Sequence, residues 1–320
     1  MKALVTGATG FIGSHLAAAL VREGFDVKCL VRNRSRLRFL EDMNVRTTEG
    51  DCTDRDSLID AVKGVDYVFH LAGVTKACSE EDYYNANSKG TENIVRAVVE
   101  NNPDIKRFVY LSSLAAAGPC HDGIPLKEDC VPMPVSVYGR TKLEGEKIVT
   151  ANGKNIPVTV IRPPAVYGPR DGDLLVFFKM VKSGIVPYWG KCYYSFLYVE
   201  DLINGIILSA LSREAEGEIF FMSDGNIYSV DDIITAISDA LQRRPVKLKM
   251  PKFVMPLLGM LSEKLRGVNI INSDKIKEMK HAYWVCDASK AAAKLKFEPK
   301  VKIKEGAQWT ADWYRIHRWL

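Results

Sequence analysis

Lys2-Ala3-Leu4-Val5-Thr6-Gly7-Ala8-Thr9-Gly10-Phe11-Ile12-Gly13 opens the chain, and its reading decides the fold. Residues 2–5 form a short apolar run with the length of a buried strand, and residues 13–23 carry a helical pattern. Between them stand three glycines with separate physical uses. Gly7 permits a tight turn, Gly10 lets backbone approach a ligand, and Gly13 lets helix and strand pack closely. The helix N-terminus then presents unpaired N–H groups and a partial positive charge, which suit a diphosphate. Thr9, Phe11 and Ile12 complete this candidate dinucleotide cradle. The plainer alternative is a strand–helix turn with no ligand.

Working outward, the same alternation continues. Strands are expected at 26–31, 45–49, 67–71, 108–112 and 158–162, and helices at 56–62, 91–100 and 137–150. Strand and helix alternating at this spacing make right-handed βαβ units in a parallel sheet covered on both faces. Beyond Pro163-Pro164 the pattern loosens. A strand and helix are expected within 196–209, a strand at 219–222 and a helix at 230–241. The expected architecture is an α/β, doubly wound Rossmann domain (1–166 with 196–212) with a smaller C-terminal substrate lobe (167–195 with 213–320).

The composition agrees. The 320 residues are 47% hydrophobic and 26% charged, which excludes a disordered or collagen-like chain. A net charge of +5 is too mild to indicate a nucleic-acid partner. Seven Cys, an odd number with no CxxC pair, argue against a disulfide framework and a structural zinc site. Five scattered His without HExxH give no reason to expect a metal. The N-terminal apolar run is too short for a signal peptide, and no apolar stretch reaches 18 residues, so a cytoplasmic protein without a membrane span is expected.

The end of the second strand is where an adenosine ribose would lie. An acidic residue there suits NAD, and a basic one accommodates the 2′-phosphate of NADP. Here Val31 is followed by Arg32, with Arg34 and Arg36 in the loop. NADP(H) is the favoured expectation, with NAD(H) possible and a solvated basic loop as the alternative. Asp51, next to Cys52 after the third strand, could accept from the adenine amino group or serve as a turn residue.

Tyr138 and Lys142 stand at i and i+4 on an expected helix, on one face and about 6 Å apart along the axis. A phenol is a poor acid or base at neutral pH, and a nearby ammonium lowers its pKa. The pair is a candidate proton donor and acceptor for interconverting a carbonyl and an alcohol. Ser112 and Ser113 end an expected strand, where α/β sheets place ligands, and a hydroxyl there can hold a substrate oxygen.

With these pieces in view the chain resembles an extended short-chain dehydrogenase/reductase of the NAD-dependent epimerase/dehydratase family. The matching motifs are TGATGFIG (6–13), GDCTD (50–54), HLAG (70–73), NSKGT (87–91), YLSS (110–113), YGRTK (138–142), RPPAVYGPRD (162–171), DASKA (287–291) and LKFEPKV (295–301). The resemblance implies roles. Tyr138 is the acid/base, Lys142 lowers its pKa and binds the nicotinamide ribose, and Ser113 polarises the substrate with help from Ser112. Leu71, Ala72 and Gly73 pass along the cofactor, Asn87 braces the sheet end beside it, and Pro163, Ala165 and Val166 cover the nicotinamide. A homodimer through the helices beginning near Thr91 and Val137 is also implied.

Departures from the family narrow the chemistry. Ser113-Leu114-Ala115 stands where sugar-nucleotide dehydratases carry Thr-Asp-Glu, so no acidic pair is available to remove water. Ala165 replaces an Asn usual in sugar-nucleotide epimerases. Tyr194 stands about where their diphosphate-clamping Arg would be, and Lys191 could substitute only as a point charge. RPPAVYGPRD with Arg32 is more similar to the 3β-hydroxysteroid dehydrogenase and dihydroflavonol reductase branches, which act on bulky, mostly apolar ketones and alcohols. The expected function is therefore an NAD(P)-dependent alcohol/ketone oxidoreductase acting on a small molecule. The alternatives are an NDP-sugar epimerase using bound NAD, or a cofactor sensor without chemistry, against which the intact Ser113, Tyr138 and Lys142 argue. Residues 253–265 (FVMPLLGMLSEKL) suit ordinary lobe core or a dimer contact, with an apolar substrate wall or a membrane-surface contact as alternatives. The stretch 243–280 holds ten Lys and Arg against three Asp and Glu, a local +7 that leaves −2 for the rest of the chain.

Overall fold

A computed structural model describes residues 1–33, 37–188, 190–250 and 273–320. The first six strands are β1 (Lys2–Thr6), β2 (Asp26–Val31), β3 (Arg46–Glu49), β4 (Tyr67–His70), β5 (Arg107–Leu111) and β6 (Val158–Arg162). With Ile219–Phe221 they form one seven-stranded sheet, ordered Ile219–Phe221, β6, β5, β4, β1, β2, β3, in which every pairing is parallel. The central strands are apolar because both faces are covered, whereas the edge strand β3 is polar and has no buried residue. Val68, Phe108, Val158 and Val160 pack with Ile94, Val98 and Val149 on one side, and Val5, Val27, Phe69 and Val109 pack with Leu16, Leu20, Leu202 and Ile206 on the other. Each fully buried side chain of this size stabilises the fold by about 1.5–3 kcal/mol.

The strand order reverses beside β1. Its neighbours β2 and β4 lead away in opposite directions, which leaves a crevice at the carboxyl ends of β1 and β4. Val5 lies opposite both Cys29 and Phe69, so the turns that follow these strands meet at that edge.

The edge strand Ile219–Phe221 corrects one boundary of the sequence reading, which placed residues 213–320 with the lobe. Its three residues pair with Val160, Ile161 and Arg162. The pairing satisfies the open edge of β6, something a local pattern does not reveal. Ala291, Leu295 and Phe297 also pack into the core of the sheet, while a second core is built from Tyr167, Phe178, Phe196, Ile233, Ile237 and Tyr314. The lobe contains the helices Leu175–Ser183 and Ile303–Ile316, which the sequence reading left unassigned. The motif-bearing stretch after Pro163-Pro164 becomes a short strand, Ala165–Tyr167, paired with Phe196–Tyr198. Residues 253–265, with Arg34 and Arg36, lie outside the described residues. Among the described residues no helix is long and apolar enough to cross a membrane.

Candidate active site

The glycine turn has the geometry its sequence requires. Gly7 adopts φ +70°, and a Cβ there would lie 2.8 Å from both the Ala72 nitrogen and the Leu71 carbonyl carbon. A Cβ on Gly13 would lie 2.1 Å from the Gly7 oxygen. The helix α1 (Phe11–Arg22) therefore sits directly on the turn. Its N-cap is Gly10, which has no side chain to cap the first N–H groups and whose own N–H is held by the Gly7 oxygen at 3.0 Å. The N–H groups of Phe11, Ile12 and Gly13 thus stand at the positive end of α1, with half-buried Thr9 beside them. A side chain would fill this cradle, and the diphosphate of a dinucleotide fits it.

A chain of buried hydrogen bonds sets the adjoining strip Leu71-Ala72-Gly73. The Ala72 N–H donates to Thr6 Oγ1 at 3.1 Å, and Thr6 Oγ1 meets His70 Nδ1 at 2.7 Å. His70 Nε2 meets Thr91 Oγ1 at 3.0 Å, which donates to the Asn87 carbonyl at 2.6 Å. One consistent direction runs through all four bonds when His70 is neutral with its proton on Nε2. Burial pushes the imidazole down to about 3, which keeps it neutral. The Asn87 side chain then ties Val74 through both its N–H and C=O, at 2.8 and 3.1 Å, and donates to Thr141 Oγ1 at 3.0 Å. Asn87 belongs to a π-helical turn, Tyr84–Lys89, that the sequence reading missed. Such turns re-aim side chains within a helix and occur often at functional sites.

Ser113, Tyr138 and Lys142 converge at the next strand end. Ser113 follows β5 and caps Leu114–Ala117, accepting from the Ala115 N–H at 3.1 Å. Tyr138 lies in the first turn of the helix Val137–Ala151, and its side chain borders the same cavity as Ser113, close enough for Ser113 to act on the phenol. One turn on, Lys142 is 4% exposed. Its Nζ donates to the Leu111 carbonyl at 2.6 Å and lies 4.2 Å from the centre of the Tyr110 ring. The same Nζ is 3.9 Å from where a Cβ on Gly73 would stand, which brings it to the cofactor strip.

Burial draws the Lys142 ammonium down to about 7, against the pull of Glu146. The Tyr138 phenol is pushed above its ordinary value by burial, which outweighs the opposing influence of Ser113. The expectation that Lys142 holds the phenol down is therefore not met by the described residues alone. The physical reason is desolvation, which disfavours both the phenolate and the ammonium.

Other expected site residues separate into two groups. Ser112 is not brought into the site. Its hydroxyl donates to Glu146, which also takes Arg162 in a bidentate pair at 2.8 and 2.6 Å, and all three are buried. Adjacent residues leaving a strand point to opposite sides, so Ser112 and Ser113 cannot share a role. The Asp51 carboxylate accepts from the Thr53 N–H and hydroxyl, both at 2.9 Å, as a turn residue does. Cys52 is buried and its thiol is pushed up to about 12. Arg32 is exposed just beyond β2, close enough to Cys52 for its charge to act there, and it has no ion-pair partner among the described residues. Pro163 is buried, Ala165 is exposed and Val166 is half-buried at the end of β6.

A cavity of about 160 Å³ opens beside Ser113 and Tyr138. Leu114, Ala115, Pro164 and Ala165 wall it from the sheet side, and Tyr194, Met279 and Trp284 from the lobe. Its charged groups, Lys275 and Glu278, are paired with each other at 2.7 Å. Lys191, the other candidate for a diphosphate contact, is exposed and its charge acts on Asp231 instead. Met279, Trp284, Lys275 and Glu278 were missed by sequence reasoning. They lie more than 130 residues beyond Tyr138 in no motif, and only the fold brings them to it.

Comparison with known proteins agrees with this geometry. Residues 3–222 match the NAD dependent epimerase/dehydratase family. A ceramide reductase of Caulobacter vibrioides is 26% identical over 324 residues, covering 99% of this chain and 95% of that protein. A UDP-glucose 4-epimerase of Vibrio cholerae is also 26% identical, over 97% of this chain and 94% of that protein. The solved structure of MoeE5 in complex with UDP-glucuronic acid and NAD shares the fold, with a TM-score of 0.79 at 24% identity and coverage of 99% and 100%. Because the family match spans more than half of the 320 residues and takes in the glycine turn, Ser113, Tyr138 and Lys142, the chain belongs to the NAD dependent epimerase/dehydratase family and is an enzyme of the extended short-chain dehydrogenase/reductase type.

Proposed function

We propose that this enzyme interconverts a secondary alcohol and a ketone on a bulky, mostly apolar substrate. The observation that carries the reading is the cavity beside Ser113 and Tyr138. Beyond Ser113, Tyr138 and Ser195 its walls are mostly aliphatic and aromatic, and its cation Lys275 is already paired with Glu278. Such a pocket rewards apolar burial and gives a diphosphate no clamp among the described residues. The similarity to a ceramide reductase points the same way.

The residues divide the work. Gly7, Thr9, Gly10, Phe11, Ile12 and Gly13 cradle the diphosphate, and Leu71, Ala72 and Gly73, anchored by Thr6 at Ala72 and by Asn87 at the neighbouring Val74, run along the dinucleotide. Arg32, exposed and without an ion-pair partner among the described residues, favours NADP(H), while NAD(H) is what the family name specifies. Pro163, Ala165 and Val166 border the nicotinamide end. When bound, the nicotinamide supplies or accepts the hydride at the substrate carbon. Ser113 donates a hydrogen bond to the substrate oxygen, and Tyr138 gives that oxygen its proton in reduction and takes it back in oxidation. Lys142, held by the Leu111 carbonyl, stands behind Tyr138 at the ribose. Residues 1–166 with 196–222 serve as the cofactor body and the remainder as the substrate lobe. A cytoplasmic homodimer is the family-based expectation.

The test is NADPH and NADH consumption over a panel of bulky apolar ketones, with Tyr138→Phe alongside. Turnover should vanish in the variant while dinucleotide binding persists. Undiminished turnover in Tyr138→Phe would sink the mechanism.

The similarity to a UDP-glucose 4-epimerase favours a second reading, an NDP-sugar epimerase that re-reduces its own intermediate. Isomerisation of a UDP-hexose without added cofactor, with NAD co-purifying, would establish it in place of the first.

A further inference from the structure

Two carboxylates one turn apart on Ser273–Met279 reach the start of the helix that carries Tyr138. Asp274 accepts from the Val137 N–H at 2.7 Å and from the Tyr138 N–H at 3.0 Å, one on each oxygen. Glu278 accepts from the Ser136 hydroxyl at 2.8 Å, and Ser136 in turn caps the Gly139 N–H at 3.0 Å. Asp274 and Glu278 are 6% and 7% exposed. Ordinarily one N-cap side chain satisfies one of the orphan donors at a helix start. Here three successive N–H groups are held, two of them by a residue 136 positions away from Tyr138. The same short helix also walls the cavity through Lys275, Glu278 and Met279, and the Trp284 indole N–H donates to the Glu278 carbonyl at 3.1 Å. The cavity wall and the first turn of the Tyr138 helix are therefore one hydrogen-bonded unit.

We propose that Asp274 is a positioning residue for Tyr138: it fixes the backbone of residues 137 and 138, and through it the phenol against Ser113. The inference rests on the reading of Tyr138 as the acid/base. Lys277, 3.5 Å from the Asp274 carboxylate, and Lys275 on Glu278 balance the charge of the clasp. Without Asp274, two N–H groups in a buried first turn lose their acceptor, and the turn can leave the geometry that places the phenol.

The test uses the full chain labelled with tyrosine carrying 13C at Cζ. The Tyr138 signal is assigned by its disappearance in Tyr138→Phe. In Asp274→Ala that signal should shift or broaden, and in Asp274→Asn, where one amide oxygen can still accept, it should move less. A remote variant of similar thermal loss, Ile237→Val, should leave it in place. A folded Asp274→Ala with the Tyr138 signal unmoved overturns the proposal. If Asp274→Ala does not fold, an unmoved signal in Asp274→Asn overturns it equally. Turnover retained in Tyr138→Phe would instead remove the acid/base reading, a result the Tyr138 signal in the Asp274 variants does not affect.

Discussion

Gly13→Ala tests the cofactor cradle at its tightest contact. The added Cβ would lie 2.1 Å from the Gly7 oxygen, 2.7 Å from the Gly7 carbonyl carbon and 2.9 Å from the Ala8 Cα. All three are backbone atoms, so no side chain can swing aside. Ordinary contact at the Gly7 oxygen requires α1 and the turn to separate by more than about 1 Å, given carbon contacts near 3.5 Å. Overpacking of this kind costs about 1–3 kcal/mol. The displacement falls on the N–H groups that face the diphosphate, so it should appear in affinity as well as in stability. At about 1.4 kcal/mol per tenfold, NADPH or NADH should bind roughly 10- to 100-fold more weakly. Titration followed by nicotinamide fluorescence measures this, with calorimetry to confirm that the variant is folded. The control is Gly24→Ala. Gly24 also has a positive φ, +78°, but a Cβ there meets nothing within 4 Å. It should lose about 1–2 kcal/mol of stability to backbone strain and keep its cofactor affinity. Wild-type affinity in a folded Gly13→Ala would refute the placement of the diphosphate at this turn.

Three further outcomes follow from the same structure. Glu146→Ala leaves the Arg162 guanidinium buried without its bidentate partner, and Arg162 Nη1 already has none. Chemical denaturation should show a loss of about 3–5 kcal/mol, and a loss below about 1 would contradict the buried pair. His70 is held neutral with its pKa near 3, below the unfolded value of 6.5, so the unfolded chain binds the extra proton between those limits. The stability it contributes is complete above pH 6.5 and declines as pH falls towards 3. The difference in denaturation free energy between wild type and His70→Gln should shrink over that window, and a difference independent of pH would count against the neutral network. Arg32→Asp should weaken NADPH by about tenfold or more while sparing NADH, since a carboxylate repels the 2′-phosphate and suits a free ribose hydroxyl. Equal NADPH affinity in the variant would remove Arg32 from the cofactor site.

Much of this was legible in the chain itself. The parallel sheet follows from apolar strands alternating with helical stretches, and the glycine turn from spacing that only a tight strand–helix junction needs. Tyr138 and Lys142 share a helix face because they are four residues apart, and Ser113 joins them because it ends a neighbouring strand. These are short-range facts, fixed by the periods of helix and strand. Strand position alone does not separate Ser112 from Ser113; the resemblance favoured Ser113 and kept Ser112 as its helper, and only the packing of Glu146 and Arg162 behind the sheet shows that Ser112 is turned away. Nor could sequence tell an adenine-binding Asp51 from one that closes its own turn on Thr53.

The sequence by itself determined the sheet, the glycine turn and the candidate trio Ser113, Tyr138 and Lys142. The tertiary structure decided what surrounds them. It brought Tyr194, Met279 and Trp284 to the cavity and set Asp274 on the backbone of Tyr138. It also decided charge: burial draws the Lys142 ammonium down to about 7 and, with the nearby Lys142 charge, keeps His70 neutral. Periodicity is written in adjacent residues, whereas desolvation and hydrogen-bond partnership depend on residues more than a hundred positions away, and these exist only when the chain is folded.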